Sequence, residues 1–182
     1  MKTYRRLSSR EVYSNPYIRV EAHEVVHPNG RPGEYALLVP PPSSAVVVAD
    51  GSDLLFARQP RFAAQAEVIE IVKGGANGGE DPLACAKRET REELGIEAAH
   101  WQHMGALYEI PSLVGTPVQL YFAHGVEHVD AEEGALESIE LMRVNEDVAI
   151  EAAATGQIND AVTVAALLRY GIRSGRLRLG PP

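Results

Sequence analysis

The chain has 182 residues, enough for one domain with at most a small appendage, and its 45% hydrophobic content is ordinary for a protein that builds a core. A net charge of −8 argues against a general nucleic-acid binder, because a phosphate backbone asks for a basic surface. The single cysteine, Cys85, excludes an intrachain disulfide and a cysteine-built zinc site and suits a reducing cytoplasm, while no apolar run approaches a membrane span and no signal-peptide core is visible.

Residues 4–39 read as antiparallel strands. Residues 17–26 are rich in β-branched side chains, and His27-Pro28-Asn29-Gly30 is a turn signal ahead of 34–39. Pro40-Pro41-Pro42 cannot continue a ladder. It is read as a rigid connector that separates an N-terminal β subdomain, 1–42, from the body of the chain, 43–182. Residues 45–49 and 54–58 flank an Asp50-Gly51 turn and predict a hairpin. Residues 67–72 predict a further strand, as do 103–110 and 117–126. Helices are expected over 144–155 and over 160–173, the second capped by Asn159 or Asp160. Strands and helices mix without regular βαβ alternation, which points to an α+β fold with a layered α/β/α body.

The densest chemical signal is "GGANGGEDPLACAKRETREELGI" at 74–96. Asp81-Pro82 starts a helix and Gly95 stops it, so the helix runs from about 82 to 94. At ~100° per residue, Leu83, Ala86, Thr90 and Leu94 share a core-facing side. Glu89, Glu92 and Glu93 gather within an arc on the other side. Glu89 and Glu93 are four apart, a spacing at which like charges repel by a few tenths of a kcal/mol. A bound cation reverses the sign of that interaction. Carboxylates without His or Cys partners suit hard ions such as Mg²⁺ or Mn²⁺. Arg88 can pair with a carboxylate and orient it. The glycines of 74–79 let backbone approach a ligand closely.

Taken alone, an acidic helix after a flexible loop is a common solvated surface. The spacing is not common. Gly74, Glu80, Arg88, Glu89, Glu92, Glu93, Gly95 and Ile96 fit the Nudix box, Gly-x5-Glu-x7-Arg-Glu-U-x-Glu-Glu-x-Gly-U, with Thr90 alone departing, at a packing position. A chance match at the seven glycine and charged positions is on the order of 10⁻⁸. The chain therefore resembles Nudix hydrolases over most of its length. The resemblance implies a mixed sheet between helices and the metal-dependent splitting of a pyrophosphate in a nucleoside diphosphate linked to another moiety. It implies that Glu89 and Glu93 are principal metal ligands, with Glu92 a further or water-mediated one. The Lys73 carbonyl would be another ligand, Arg88 an orienting group, and Glu80 a brace for the loop.

Within that family the chain is most similar to ADP-ribose pyrophosphatases and hydrolases of ADP-linked compounds. "LLFARQPRF" (54–62), "EIVKGG" (70–75) and "GQINDAVTVAALL" (156–168) carry the likeness, as do the N-terminal strands that exchange between subunits in those dimers. The resemblance implies a homodimer and brings Glu70, Gly74 and Gly75 to the substrate. "YEIPSLVGTP" (108–117) has Pro111-Ser112 where ADP-ribose enzymes usually have Ser-Pro-Gly, which leaves the leaving group open. The spacing from "GQIN" back to Ile139 is similar to that of ADP-ribose pyrophosphatases, and the resemblance implies that Glu137 is the catalytic glutamate, with Glu132, Glu133 and Glu92 as alternates. Arg58 and Arg61, which flank Pro60, read either as phosphate contacts or as a solvated strand end. Trp101 and Tyr108 read as packing residues that could stack on adenine, and Cys85 as a small filler. The six histidines show no ligand spacing along the chain. Degenerate modules that sense a nucleotide without cutting it tend to lose box carboxylates, and none is lost here. An enzyme acting on ADP-ribose or a related ADP-linked compound is thus expected, with a sensing module or a hydrolase of another nucleoside-diphosphate sugar as alternatives.

Overall fold

The computed structural model describes residues 3–129, 139–178 and 180. The chain divides into two compact units. The first is the chain up to Pro42 together with Tyr108–Pro117; the second is Ser43–Leu107 with the chain from Val118 onward. The segment 108–117 thus belongs with the N-terminal residues, although the sequence reading places it in the body.

In the first unit, β1 (Arg5–Ser14), β2 (Arg19–Val26) and β3 (Pro32–Val39) form a three-stranded antiparallel sheet. The turn expected at 27–30 joins β2 to β3, with His27 N donating to Arg31 O at 2.8 Å and Gly30 at φ +86°. The 108–117 segment is held to β3 by Leu38 N donating to Leu113 O at 2.9 Å and by Tyr35 Oη donating to Ser112 O at 2.6 Å. Every residue of β1 is exposed.

The second unit is built on a mixed seven-stranded sheet. β4 (Ser43–Asp50) lies beside β5 (Asp53–Arg61), and β9 (Val118–His128) runs parallel to β4. β10 (Glu140–Asn145) adds to β5, and β8 (Ile96–Leu107) forms the far edge against β9. β4 and β5 are almost continuous apolar runs because both of their faces are covered. Ala45, Val47 and Phe56 pack with α2 (Glu146–Thr155) and α3 (Ala161–Arg173), for example against Ala149, Val162 and Leu167. Val46, Val48 and Leu55 pack on the opposite face with Ala86 and Leu94 of α1 (Pro82–Leu94). This is the expected α+β body, a sheet between helices.

Three of the differences from the sequence reading have a visible cause. The strand expected at 67–72 is two strands, β6 (Ala66–Glu70) on β5 and β7 (Val72–Gly75) on β4. The chain changes partner at Ile71, whose N–H goes to Thr163 Oγ1 at 3.1 Å instead of to a ladder. β8 starts at Ile96, directly after the left-handed Gly95, well before the expected 103, because a bulge at His103/Gly105 breaks the alternation on which the sequence reading relies. The helix expected from 144 starts at Glu146, because Asn145 ends β10 and caps α2 by accepting from Asp147 N at 3.1 Å.

Behind α2 and α3, the buried Tyr170 donates its hydroxyl to Glu146, which also pairs with Arg176. Burial first, and then the Glu146 carboxylate, push the Tyr170 phenol up to about 12. The folded chain therefore keeps this proton at pH values where an unfolded tyrosine, near 10, has lost it. The corresponding stability is fully present below about pH 10 and is lost as pH rises towards 12. Melting temperature measured from pH 9 to 12 is expected to fall more steeply for the wild type than for Tyr170→Phe.

Candidate active site

The site is assembled from the β7 exit, the loop behind it and the first three turns of α1. Asp81 caps the helix, accepting from Leu83 N at 2.9 Å and Ala84 N at 3.4 Å, with Pro82 in the first turn. Ser44 on β4 donates to Pro82 O at 2.7 Å and ties the helix start to the sheet. Buried Cys85, Ala86, Thr90 and Leu94 fix the helix's rotation. The Thr90 hydroxyl satisfies itself on Ala86 O at 2.7 Å, which is how threonine fits the aliphatic position of the box.

With that rotation set, Arg88 sits at the centre of the acidic cluster. Its Nε donates to Glu80 Oε1 at 3.0 Å and its Nη2 to Glu80 Oε2 at 2.9 Å, a bidentate pair. Its Nη1 reaches Glu89 Oε1 at 2.7 Å and Glu92 Oε2 at 2.9 Å, and its Nη2 also reaches Gly75 O at 2.8 Å. Glu80 accepts in addition from Asn77 N at 2.9 Å, closing the loop. The Arg88 guanidinium, and then the Asn77 N–H, hold the Glu80 carboxyl below its usual range. Glu89 behaves oppositely: burial raises its carboxyl despite Arg88. Arg88 itself is held still more firmly protonated, first by Glu80.

Gly74 is required by Glu89. A Cβ on Gly74 would lie 1.9 Å from Glu89 Cδ, so the carboxylate rests directly on bare backbone. Glu93 differs from expectation. It is half-buried, and its Oε2 is shielded from solvent, because α1 is turned so that Glu89 and Glu93 border the core and only Glu92 faces out fully.

β7 brings Lys73 next to the cluster. The Lys73 ammonium lies 3.2 Å from Asp160 Oδ1 and 3.6 Å from Glu70 Oε2. Glu70 is 2% exposed and also accepts from Arg61 Nε at 2.6 Å. Arg58 pairs with Glu67 and, at 3.5 Å, with Glu140. Both arginines read as phosphate contacts thus stand in ion pairs. Asp160 is legible in the sequence only as a helix cap. It does accept from Thr163 N at 2.9 Å, and it also anchors Lys73, a role whose one sequence trace is the Asp-x-x-Thr spacing at the start of α3. Trp101 packs on the α1 side of the sheet and donates Nε1 to Ala98 O at 2.9 Å, while Tyr108 is exposed in the first unit. Cys85 is fully buried, a filler as read. Glu132, Glu133 and Glu137 lie outside the described residues.

The donor set is oxygen only: Glu89, Glu92, Glu93 and the backbone carbonyls at the end of β7. That chemistry fits a hard divalent ion. Among the described residues no three ligand side chains converge on one point, and Glu89 and Glu92 are instead drawn together by Arg88.

A Nudix domain model matches residues 39–165. The chain belongs to the Nudix family. It is a pyrophosphohydrolase by that membership, and a model of the nucleoside diphosphate sugar hydrolase N-terminal domain matches residues 4–38. An ADP-ribose pyrophosphatase of Bacillus subtilis (strain 168) is 24% identical over 88% of this chain and 89% of its own length. A methanol dehydrogenase activator of Bacillus methanolicus is 24% identical with the same shares covered. A CMP-5'-(N-acetyl-N-hydroxy-3-aminopropyl)phosphonate hydrolase of Streptomyces rubellomurinus is 26% identical over 94% of this chain and 84% of its own. A crystal structure of an ADP compounds hydrolase shares the fold, with a TM-score of 0.83 and 20% identity over 97% of this chain and 98% of that one. No described helix is long and apolar enough to cross a membrane.

The Gly74–Glu89 contact gives a direct test. Gly74→Ala is expected to swing Glu89 away while leaving the fold intact, since the displaced atoms are the end of a flexible side chain. Activity should fall about 10²-fold, the scale of a misplaced reactive group. The checks are turnover at saturating divalent ion and an unchanged far-ultraviolet dichroism spectrum.

Proposed function

We propose that this Nudix enzyme uses a divalent cation to hydrolyse the pyrophosphate of ADP-ribose or a related ADP-linked compound, giving AMP and a phosphorylated second moiety. The observation that carries this reading is the coincidence of an intact box with an N-terminal segment matched by the nucleoside diphosphate sugar hydrolase model. The whole-length ADP-ribose pyrophosphatase relative supports the adenine nucleotide. The phosphonate relative supports a second reading, in which the base is cytosine and the leaving group a phosphonate.

In this reading Glu89, Glu93 and the Lys73 carbonyl hold Mg²⁺ or Mn²⁺, with Glu92 as a further or water-mediated ligand. The ion, when bound, neutralises phosphate charge and polarises a water. Arg88 keeps Glu89 and Glu92 oriented, and Glu80 keeps Arg88 in place. Gly74 and Gly75 let backbone approach the diphosphate. Arg58 and Arg61 meet phosphate oxygens by exchanging a carboxylate partner for the substrate, and Glu70 sets the position of Arg61. Glu137 takes the proton of the attacking water, or joins the metal late. Water oxygen bonds to one phosphorus, the bridging P–O bond breaks, and the departing phosphate carries the electron pair.

The enzyme works as a cytoplasmic homodimer in this reading. β1 is an outer strand of its sheet, with Tyr4, Leu7, Val12 and Tyr13 exposed along or beside it, and such an edge invites a second chain. Light scattering at micromolar concentration is expected to give twice the chain mass of 19.7 kDa; a monomer would contradict the subunit exchange.

Incubation with ADP-ribose and Mg²⁺ is expected to release AMP, and EDTA to stop it. A panel containing ADP-linked and CMP-linked compounds separates the two readings by the nucleotide released. Glu137→Gln should lower kcat at least ~10²-fold with little change in KM. If Glu133→Gln is the inactive variant instead, the base is one of the alternates.

A further inference from the structure

The six histidines show no ligand spacing along the chain, but the sheet creates one. His100 on β8 and His124 on β9 are register partners, and their rings stand 4.7 Å apart, centroid to centroid, at 30°. Both are exposed. No hydrogen bond or ion pair among the described residues engages either imidazole, whereas their neighbours on the same hairpin are engaged. His103 lies 3.0 Å from Gln119 Oε1, and His128 lies 2.7 Å from Arg143 Nη2.

The local backbone is shaped for this pair. Gly125 follows His124 with φ at +70°, and a Cβ there would lie 3.2 Å from His100 Cδ2. On the other side Phe122 stacks against His124 at 5.3 Å and packs on Tyr170 of α3. The pair therefore has a fixed wall at His124 and a bare backbone beside His100.

We propose that His100 and His124 form a binding site for an imidazole-seeking divalent ion of the Zn²⁺, Ni²⁺ and Cu²⁺ class. Two nitrogens held tetrahedrally at ~2.0–2.1 Å from one ion lie roughly 3.3 Å apart. Binding requires each ring to turn about χ2 until one nitrogen of each meets the ion, a rotation that their exposure leaves open. Neutral imidazole is a strong ligand for these ions and a poor one for Mg²⁺ or Ca²⁺. The remaining coordination positions face solvent and take water. A bound ion clips the edge strand β8 to β9. His124 packs with Phe122 on the α3 side of the sheet, and α1 lies on the other side, so the site is separate from the acidic cluster and differs from it in ligand type.

The test uses the full chain in about 10 mM Mg²⁺, supplied to compete at the carboxylate cluster. Ni²⁺ or Zn²⁺ is titrated by calorimetry at pH 7.5, and Cu²⁺ binding is followed by electron paramagnetic resonance. One ion per chain is expected, with nitrogen hyperfine structure from two imidazoles and a rise in melting temperature. His100→Asn and His124→Asn should each weaken binding at least ~10-fold. The variant His103→Gln serves as the control and should bind as the wild type does. Binding that survives both asparagine variants, a copper spectrum with oxygen ligands only, or no binding at 1 mM Ni²⁺ would each overturn the proposal. None of these results depends on turnover, so the outcome is independent of the hydrolase reading.

Discussion

Arg88 is the interaction on which the site depends. Its guanidinium spans Glu80, Glu89, Glu92 and the Gly75 carbonyl, so one cation fixes the loop, the helix and two carboxylates of the box together. The carboxylates need it. Glu89 is partly buried against the bare Gly74 backbone, and burial alone disfavours its charge. A buried carboxylate whose cation is removed is left uncompensated, which costs more than the pair contributes when intact. Lysine at position 88 would supply the charge but not the fork that serves Glu80 with two atoms and the neighbours with the rest.

The same arrangement explains why the glycines and the acids occur together. Gly74 makes room for Glu89, the Asn77 N–H and Arg88 clamp Glu80, and Asp81 starts the helix one residue later. Loop and helix are one hydrogen-bonded object. Divalent-ion binding, as proposed, draws on Glu89 and Glu93, with Glu92 a further or water-mediated ligand, and asks nothing of Glu80. The bidentate Arg88–Glu80 pair involves none of the carboxylates proposed as ligands.

Much of this is legible from the sequence because it is local. The box helix, its cap at Asp81 and its stop at Gly95 lie within 15 residues, where capping rules and helical spacing apply directly. The sheet between helices follows from the family likeness. What is hidden depends on contacts far apart in the chain. The half-buried state of Glu93 follows from how α1 is rotated on β7, which spacing does not specify. The split of 66–75 into two strands follows from Thr163, 92 residues beyond Ile71. The placing of 108–117 with the N-terminal strands rests on Leu38 and Tyr35. The His100–His124 pair is a register effect, invisible until β8 is laid on β9.

One long-range link joins the closing helix to the chemistry. Thr163 gives its N–H and hydroxyl to Asp160 and receives the N–H of Ile71, while Asp160 accepts from Lys73. The start of α3 therefore holds Ile71, between β6 and β7, and Lys73, within β7, the two residues either side of Val72. Lys73 lies between Asp160 and Glu70, and Glu70 in turn holds Arg61. This chain of paired charges draws the Asp160 carboxyl below its ordinary range against the opposing effect of burial, and it includes Lys73, the residue directly before the box. It fixes the backbone from which the Lys73 carbonyl and Gly74 project. α3, which carries no residue of the box, thus joins the β4 ladder in holding β7. A family motif alone describes the acids; the backbone they act with is held both by β4 and by a helix whose cap, Asp160, lies 65 residues beyond Gly95.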